Sequence, residues 1–222
     1  METGAEPLRK IFASLIFILG LSACGVEAKP PLANVIGPPP AGQQQAAFAG
    51  GCFWCTEHDF EAIPGVIEAI SGYTGGTLAN PSYEDVVTET TGHFETVMVR
   101  YDPKKITYAQ LVERFWRLVD PTDEGGQFCD RGPSYRTAIF VADGAQRKAA
   151  TASKAALEKS GLLKSPVVTP ILPLAAFYRA EEYHQEYSEK NTVRYNFYRF
   201  NCGRDARLAR VWGAAPKAVA SK

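Results

Sequence analysis

The residues best equipped for chemistry lie in Gly50-Gly51-Cys52-Phe53-Trp54-Cys55-Thr56-Glu57, where an apolar run, Ala46–Ala49, turns through two glycines into a helix-like segment. Glycines permit a sharp turn and close backbone approach. Cys52 is therefore expected at a helix N-terminus, where free amide N–H groups and the positive end of the helix dipole stabilise an anion. A thiol so placed should have a lowered pKa, and the thiolate is its nucleophilic form. Two aromatic residues follow at once, which points to a reactive cysteine beside an apolar pocket.

Cys52 and Cys55 also form a C-x-x-C pair, and three chemistries compete for it. A metal could use Cys52, Cys55 and His58, but there is no second C-x-x-C, and only His93 and His184 remain among the imidazoles. A thioredoxin-like dithiol fits the strand before Cys52, yet nothing else marks that fold. The third reading is a single attacking cysteine whose partner lies elsewhere. Outside the cytoplasm Cys52, Cys55, Cys129 and Cys202 could instead form two structural disulfides.

Glu95 is the candidate acid. In a strand from His93 to Tyr101 it shares a face with Val97, Val99 and Tyr101. Desolvation on an apolar face disfavours the charged carboxylate, so the group would stay protonated near neutral pH and could hand on its proton. Phe94 and Met98 make the opposite face partly apolar too, so on pattern alone a solvated strand glutamate competes with this reading.

The elements that must position these groups alternate between strand and helix. Strands are predicted at 46–49, 66–73, 93–101, 135–142 and, at a proline-bounded edge, 167–174; helices at 52–62, 107–120, 145–160 and 180–190. The pattern predicts an α+β domain, a two-layer α/β sandwich whose mixed, mostly antiparallel sheet has helices packed on it and ends in a long irregular C-terminal segment.

Across 222 residues, 24 basic side chains balance 24 acidic ones, so no basic surface marks nucleic acid as a partner. Residues 1–23 read as a targeting segment: Arg9-Lys10, then the short apolar run Ile11–Gly20, then Leu21-Ser22-Ala23-Cys24. That tetrapeptide resembles the lipobox of bacterial lipoproteins, which implies a lipidated Cys24; Gly25 after it implies the outer membrane, and a plain secretory signal is the alternative. Residues 24–45, rich in Pro and Gln, read as a tether, 46–212 as the folded domain and 213–222 as a flexible tail.

A run of motifs then resembles the type A peptide methionine sulfoxide reductases. Gly51-Cys52-Phe53-Trp54 is followed in order by Ser71-Gly72-Tyr73, Asn80-Pro81-Ser82-Tyr83, Thr91-Gly92-His93-Phe94-Glu95, Asp130-Arg131-Gly132 with Tyr135-Arg136, Glu181–Tyr187 and Asn201-Cys202-Gly203. The resemblance implies that Cys52 attacks the sulfur of methionine S-sulfoxide, that Phe53 and Trp54 form a slot for its methyl group, and that Glu95 supplies the proton. It implies that Tyr83 and Tyr135 bind the sulfoxide oxygen, with Asp130 orienting water or a neighbour. Oxygen transfer leaves a sulfenic acid that a second thiol must resolve. Cys202 matches the family's resolving position and Cys55 is the local competitor; for Cys129 a structural bond, a redox role and a bystander all stay open.

The chemistry implied uses thiols alone, with no metal and no bound cofactor. Its reductant is an external dithiol donor resembling thioredoxin, periplasmic in this setting. Oxidised methionine-containing proteins are the expected partners, the membrane is reached through the lipid anchor, and the chain is expected to be a monomer. A C-x-x-C dithiol–disulfide oxidoreductase and a non-enzymatic envelope lipoprotein are the alternatives.

Overall fold

Strand Gln44–Gly50 (β1) runs near the middle of a six-stranded sheet and ends at the two glycines before Cys52. The computed structural model describes residues 35–213, together with Met1. The expected signal segment, Cys24, the first part of the tether and the tail beyond Gly213 lie outside the described residues. After β1 come α1 (Phe53–Glu61), β2 (Val66–Thr74), α2 (Tyr83–Val86), β3 (Phe94–Tyr101), α3 (Tyr108–Leu118), β4 (Gly126–Gln127) and β5 (Asp130–Arg131). They are followed by β6 (Thr137–Val141), α4 (Gly144–Lys159), β7 (Ile171–Pro173), β8 (Tyr178–Arg179), α5 (Tyr187–Lys190), α6 (Thr192–Cys202) and α7 (Arg204–Trp212).

The sheet order is β7-β6-β1-β3-β2-β8. Its pairs are antiparallel except β6 with β7, which α4 connects as a parallel crossover. Both faces are buried, which is why β3 is apolar on each: Val97, Val99 and Tyr101 join one core, Phe94 and Met98 the other. Helices α1, α3 and α4 cover the first face, where Phe48 stacks on Phe60 and Phe115 at 4.9 and 5.1 Å between ring centroids. Ile36, Leu172, Leu174 and Phe177 cover the second. Helix α3 starts at a capping box of Thr107 and Gln110, and α4 at the Asp143 side chain, which accepts from the Gln146 amide.

Four expectations need correction. The C-terminal segment is not irregular: α6 and α7 occupy it, joined at Gly203, whose φ of +70° turns the chain. Their buried contacts are aromatic and cationic (Tyr195, Arg204) rather than a plain aliphatic stripe, so hydrophobic periodicity was weak there. The predicted helix 180–190 is a 3-10 turn, Glu182–His184, and the four-residue α5, separated by the left-handed Glu186. Tyr135 closes a 3-10 turn, Pro133–Tyr135, ahead of β6 instead of starting the strand. The tether ends earlier than expected: Val35 bridges to Tyr178 and the Ile36 amide donates to the Phe177 carbonyl, because apolar residues there find an open strand and an apolar face to cover. The edge strand is present but short, at β7.

Candidate active site

The turn between β1 and α1 has room for nothing larger than glycine. Gly51 has φ +81°, and a Cβ there would lie 2.5 Å from Cβ of Gln127; one on Gly50 would lie 2.7 Å from Oγ1 of Thr56. Cys52 follows as the N-cap of α1 and is 6% exposed. Its carbonyl accepts from the Thr56 amide and hydroxyl, both at 3.2 Å.

The expected activation of the Cys52 thiol by the helix N-terminus is not what this arrangement does. The first amide of α1, that of Phe53, donates to Oε2 of Glu95 at 2.9 Å. The helix end therefore serves the carboxyl. Burial, then Cys55, then the charges of Glu95 and Asp130 hold the Cys52 thiol well above its ordinary range. Cys55 moves the other way: the hydrogen bond from Cys52 and the Arg204 and Arg199 cations outweigh its burial. Glu95, 2% exposed, is pushed up to about 8 by burial against the opposing pull of the Phe53 amide.

Cys52, Phe53, Trp54, Tyr83, Glu95, Asp130 and Tyr135 line one small cleft of about 130 Å³. The sequence had singled out each of them. Tyr83 opens α2, which Ser82 and Asp85 cap reciprocally; its amide donates to Oε1 of Glu181, whose Oε2 accepts from the Tyr73 hydroxyl. Tyr135 is fixed through Ser134, which donates twice to Glu89, at 2.8 Å from its amide and 2.7 Å from its hydroxyl. Burial raises both phenols, so each stays a neutral O–H donor. Trp54 lies flat on Tyr187 with centroids 3.7 Å apart, and its Nε1 donates to Nδ1 of His184 at 3.0 Å. A larger cleft of about 600 Å³ between α3 and α4 contains no thiol or imidazole, and its size alone does not make it a candidate.

Tyr198 completes the wall and was missed. Its hydroxyl donates to Oδ2 of Asp130, which partly offsets the upward push of burial on that carboxyl. The spacing Tyr195, Tyr198, Cys202 puts all three on one helical face and was the available signal. Glu181, His184 and Tyr187, all within the motif Glu181–Tyr187, hold the walls from behind together with Glu89, which carried no signature.

Cys202 ends α6 and is bonded to Cys129, so Cys129 is no bystander. Cys52 and Cys55 are free thiols, both buried. Cys129 is exposed on the turn joining β4 to β5, and Sγ of Cys202 lies 3.8 Å from Oδ2 of Asp130. Cys129, Asp130 and Cys202 group three metal-ligand residue types, but two of their donor atoms are the bonded sulfurs.

A family model described as peptide methionine sulfoxide reductase matches residues 44–215. The chain belongs to that family. It is 51% identical over 203 residues to the peptide methionine sulfoxide reductase MsrA 2 of Caulobacter vibrioides, covering 91% of this chain and 96% of the relative. Against MsrA of Bacillus subtilis the identity is 50% over 169 residues, covering 76% and 96%. Among solved structures, Mxr1 of Saccharomyces cerevisiae in reduced form superposes with a TM-score of 0.64 at 33% identity, covering 71% of this chain and 90% of that one. Methionine sulfoxide reductase A of Corynebacterium diphtheriae gives 0.61 at 34% identity, covering 69% and 77%. This reductase shares their mixed α/β architecture, and it is an oxidoreductase that reduces methionine sulfoxide by thiol chemistry. A dithiol oxidoreductase built on Cys52 and Cys55 alone is not favoured.

Proposed function

We propose that Cys52 is the nucleophile and Glu95 the acid, with methionine S-sulfoxide bound methyl-first against Phe53 and Trp54. The observation that carries this reading is the single cleft holding a buried thiol, a neutral carboxyl and two phenols. Tyr83 and Tyr135 hydrogen-bond the sulfoxide oxygen. As the Cys52 sulfur attacks the sulfoxide sulfur, the Glu95 proton moves to that oxygen and the thiol proton replaces it on the carboxyl. Hydroxyl transfer to Cys52 then gives a sulfenic acid and the thioether. No net charge forms, which suits a site where isolated charge is costly. Starting from a neutral thiol, this route does not require the depressed pKa expected from the sequence.

Cys202 condenses with the sulfenic acid and releases water; Cys55, against Cys52, is the competing partner. A thioredoxin-like dithiol donor returns the electrons, and no bound cofactor takes part. Protein-bound and free methionine sulfoxide are both substrates. Dithiothreitol-driven reduction of a defined methionine S-sulfoxide tests the assignment: Cys52→Ser should abolish it, and equal rates for the two proteins would overturn it.

We also infer a lipoprotein of the bacterial envelope, periplasmic and more naturally at the outer membrane, acting as a monomer on oxidised proteins there. Arg9-Lys10, the apolar run Ile11–Gly20 and Leu21-Ser22-Ala23-Cys24 support a cleaved segment 1–23, a lipidated Cys24 and a tether to the catalytic domain. Among the described residues no helix is long and apolar enough to cross a membrane. Mass spectrometry of the mature N-terminus, with detergent partitioning, tests this; a soluble protein with unmodified Cys24 would overturn it.

A further inference from the structure

The described cysteines divide into a buried pair and a bonded pair. Cys52 and Cys55 are 6% and 2% exposed, so no folded donor can bring a thiolate to either sulfur without opening the cleft. Cys129 is exposed, on the turn between β4 and β5. The next residue, Asp130, lines the cleft, and its carboxylate lies beside Cys202. Cys202 stands between the two environments. It is half-buried at the end of α6, one turn beyond the cleft residue Tyr198, and Gly203 follows it in open space as a joint. The Phe128 ring lies 4.6 Å from the Arg204 guanidinium and ties the Cys129 turn to the residue after that joint.

We propose that Cys129 is the exit thiol of the catalytic cycle and that the external dithiol attacks this reductase at its sulfur. The proposal rests on the reductase mechanism above. The Cys52 sulfenic acid and the Cys202 thiol form the Cys52–Cys202 disulfide and water. The Cys129 thiolate attacks Sγ of Cys202; the Cys129–Cys202 bond forms, the Cys52–Cys202 bond breaks, and Cys52 leaves as thiolate, taking up the proton Cys129 lost. Cys52 is then reduced and ready for a second sulfoxide. The donor's first thiolate attacks Cys129 and expels the Cys202 thiolate; its second thiol displaces Cys129, and the donor leaves as its own disulfide. The net change is sulfoxide plus dithiol to thioether, disulfide and water. The bonded and free cysteines of this structure are those of the state after Cys129 has displaced Cys52 and before the donor attacks.

The test begins with full-length wild type reduced by dithiothreitol, freed of it, given one equivalent of methionine sulfoxide, alkylated and mapped. The proposal expects a Cys129–Cys202 disulfide with Cys52 and Cys55 alkylated; a terminal Cys52–Cys202 or Cys52–Cys55 bond overturns it. Cys129→Ser should still release one methionine per chain and retain a Cys52–Cys202 bond. Its turnover with thioredoxin should fall at least tenfold, and turnover at the wild-type rate overturns the proposal. Because that variant also removes a disulfide, the oxidised wild type is challenged with a thioredoxin whose second active-site cysteine is serine. A mixed disulfide at Cys129 is expected, and one at Cys202 or Cys52 overturns the assignment. Wild type that releases no methionine at all would sink the reductase mechanism itself, a result distinct from methionine release with the wrong terminal bond.

Discussion

The backbone amide of Phe53 donates to the carboxyl of Glu95 across 42 residues of sequence. One hydrogen bond fixes two things: the start of α1, which lacks a side-chain cap, and the placement of the acid beside the nucleophile. It also limits how far burial can raise the acid, since an N–H donor favours the charged form. A carboxyl near 8 is protonated at neutral pH yet still acidic enough to give its proton up to a developing oxyanion.

Glu95→Gln separates those two roles. The amide oxygen can still accept from Phe53, so α1 should keep its start, but the transferable proton is gone. The rate of methionine formation in a single turnover should fall by about 10²–10⁴-fold, the usual worth of a positioned acid. Glu95→Ala should lose both the rate and the helix anchor, with a lower unfolding midpoint. A Gln variant that works at the wild-type rate would remove Glu95 from the mechanism.

The same carboxyl predicts a pH-dependent stability difference. Below the ordinary value of 4.5 both folded and unfolded wild type hold the proton, and Glu95 contributes nothing. Between 4.5 and about 8 only the folded protein holds it, so wild-type stability falls as pH rises through that window. Glu95→Gln should escape this loss. Its advantage in denaturant melts should grow from near zero at pH 4 toward a plateau above pH 8, on the order of 4 kcal/mol. Glu57 and Glu61, raised to about 8 and about 7, titrate in both proteins and cancel from the difference. A difference independent of pH would mean that Glu95 is ionised in the folded state.

Local pattern placed Cys52 at its turn and Glu95 on its strand, whereas the roles of Glu95, Tyr83, Tyr135 and Asp130 came from the family resemblance. Two glycines mark the turn at Cys52, alternation marks β3 with Glu95, and turn residues flank Tyr83 and Tyr135. What it could not show was who bonds to whom. That the first helix amide turns to Glu95 instead of to the thiol depends on how α1 docks against β3. Tyr198 and the Cys129–Cys202 bond depend on α6, whose aromatic and arginine contacts leave no clean apolar stripe.

Trp54 should matter through packing more than through polarity. It stacks on Tyr187, meets Tyr198 edge-on at 5.9 Å and is held by His184. Trp54→Ala removes one wall of the cleft and should lower kcat/KM by about 10–100-fold, mostly through KM, in line with aromatic contacts worth about 1–3 kcal/mol. Trp54→Phe keeps the stack without the hydrogen bond to His184 and should recover much of the loss. Steady-state kinetics on a short methionine sulfoxide peptide would show it, and an unchanged KM in the Ala variant would place the methyl group elsewhere.

Asp59 on α1 holds the end of α6 and the start of α7 through two arginines: Arg199 at 2.9 Å and Arg204, only 1% exposed, at 3.4 Å. Arg204 also donates to the Leu118 and Gly50 carbonyls, so the joint at Gly203 is anchored on a buried cation. Asp59→Ala leaves that cation without its counter-charge and should cost about 3–5 kcal/mol, the range for removing one partner of a buried pair. Asp59→Asn keeps an oxygen acceptor and should cost less. Both should also change how Cys202 meets Cys52. In a folded Asn variant, methionine release should stay near wild type while formation of the intramolecular disulfide slows. Stopped-flow alkylation after one turnover separates the two steps, and parallel slowing of both would show that Asp59 acts on the cleft as a whole and not on the helix that carries Cys202.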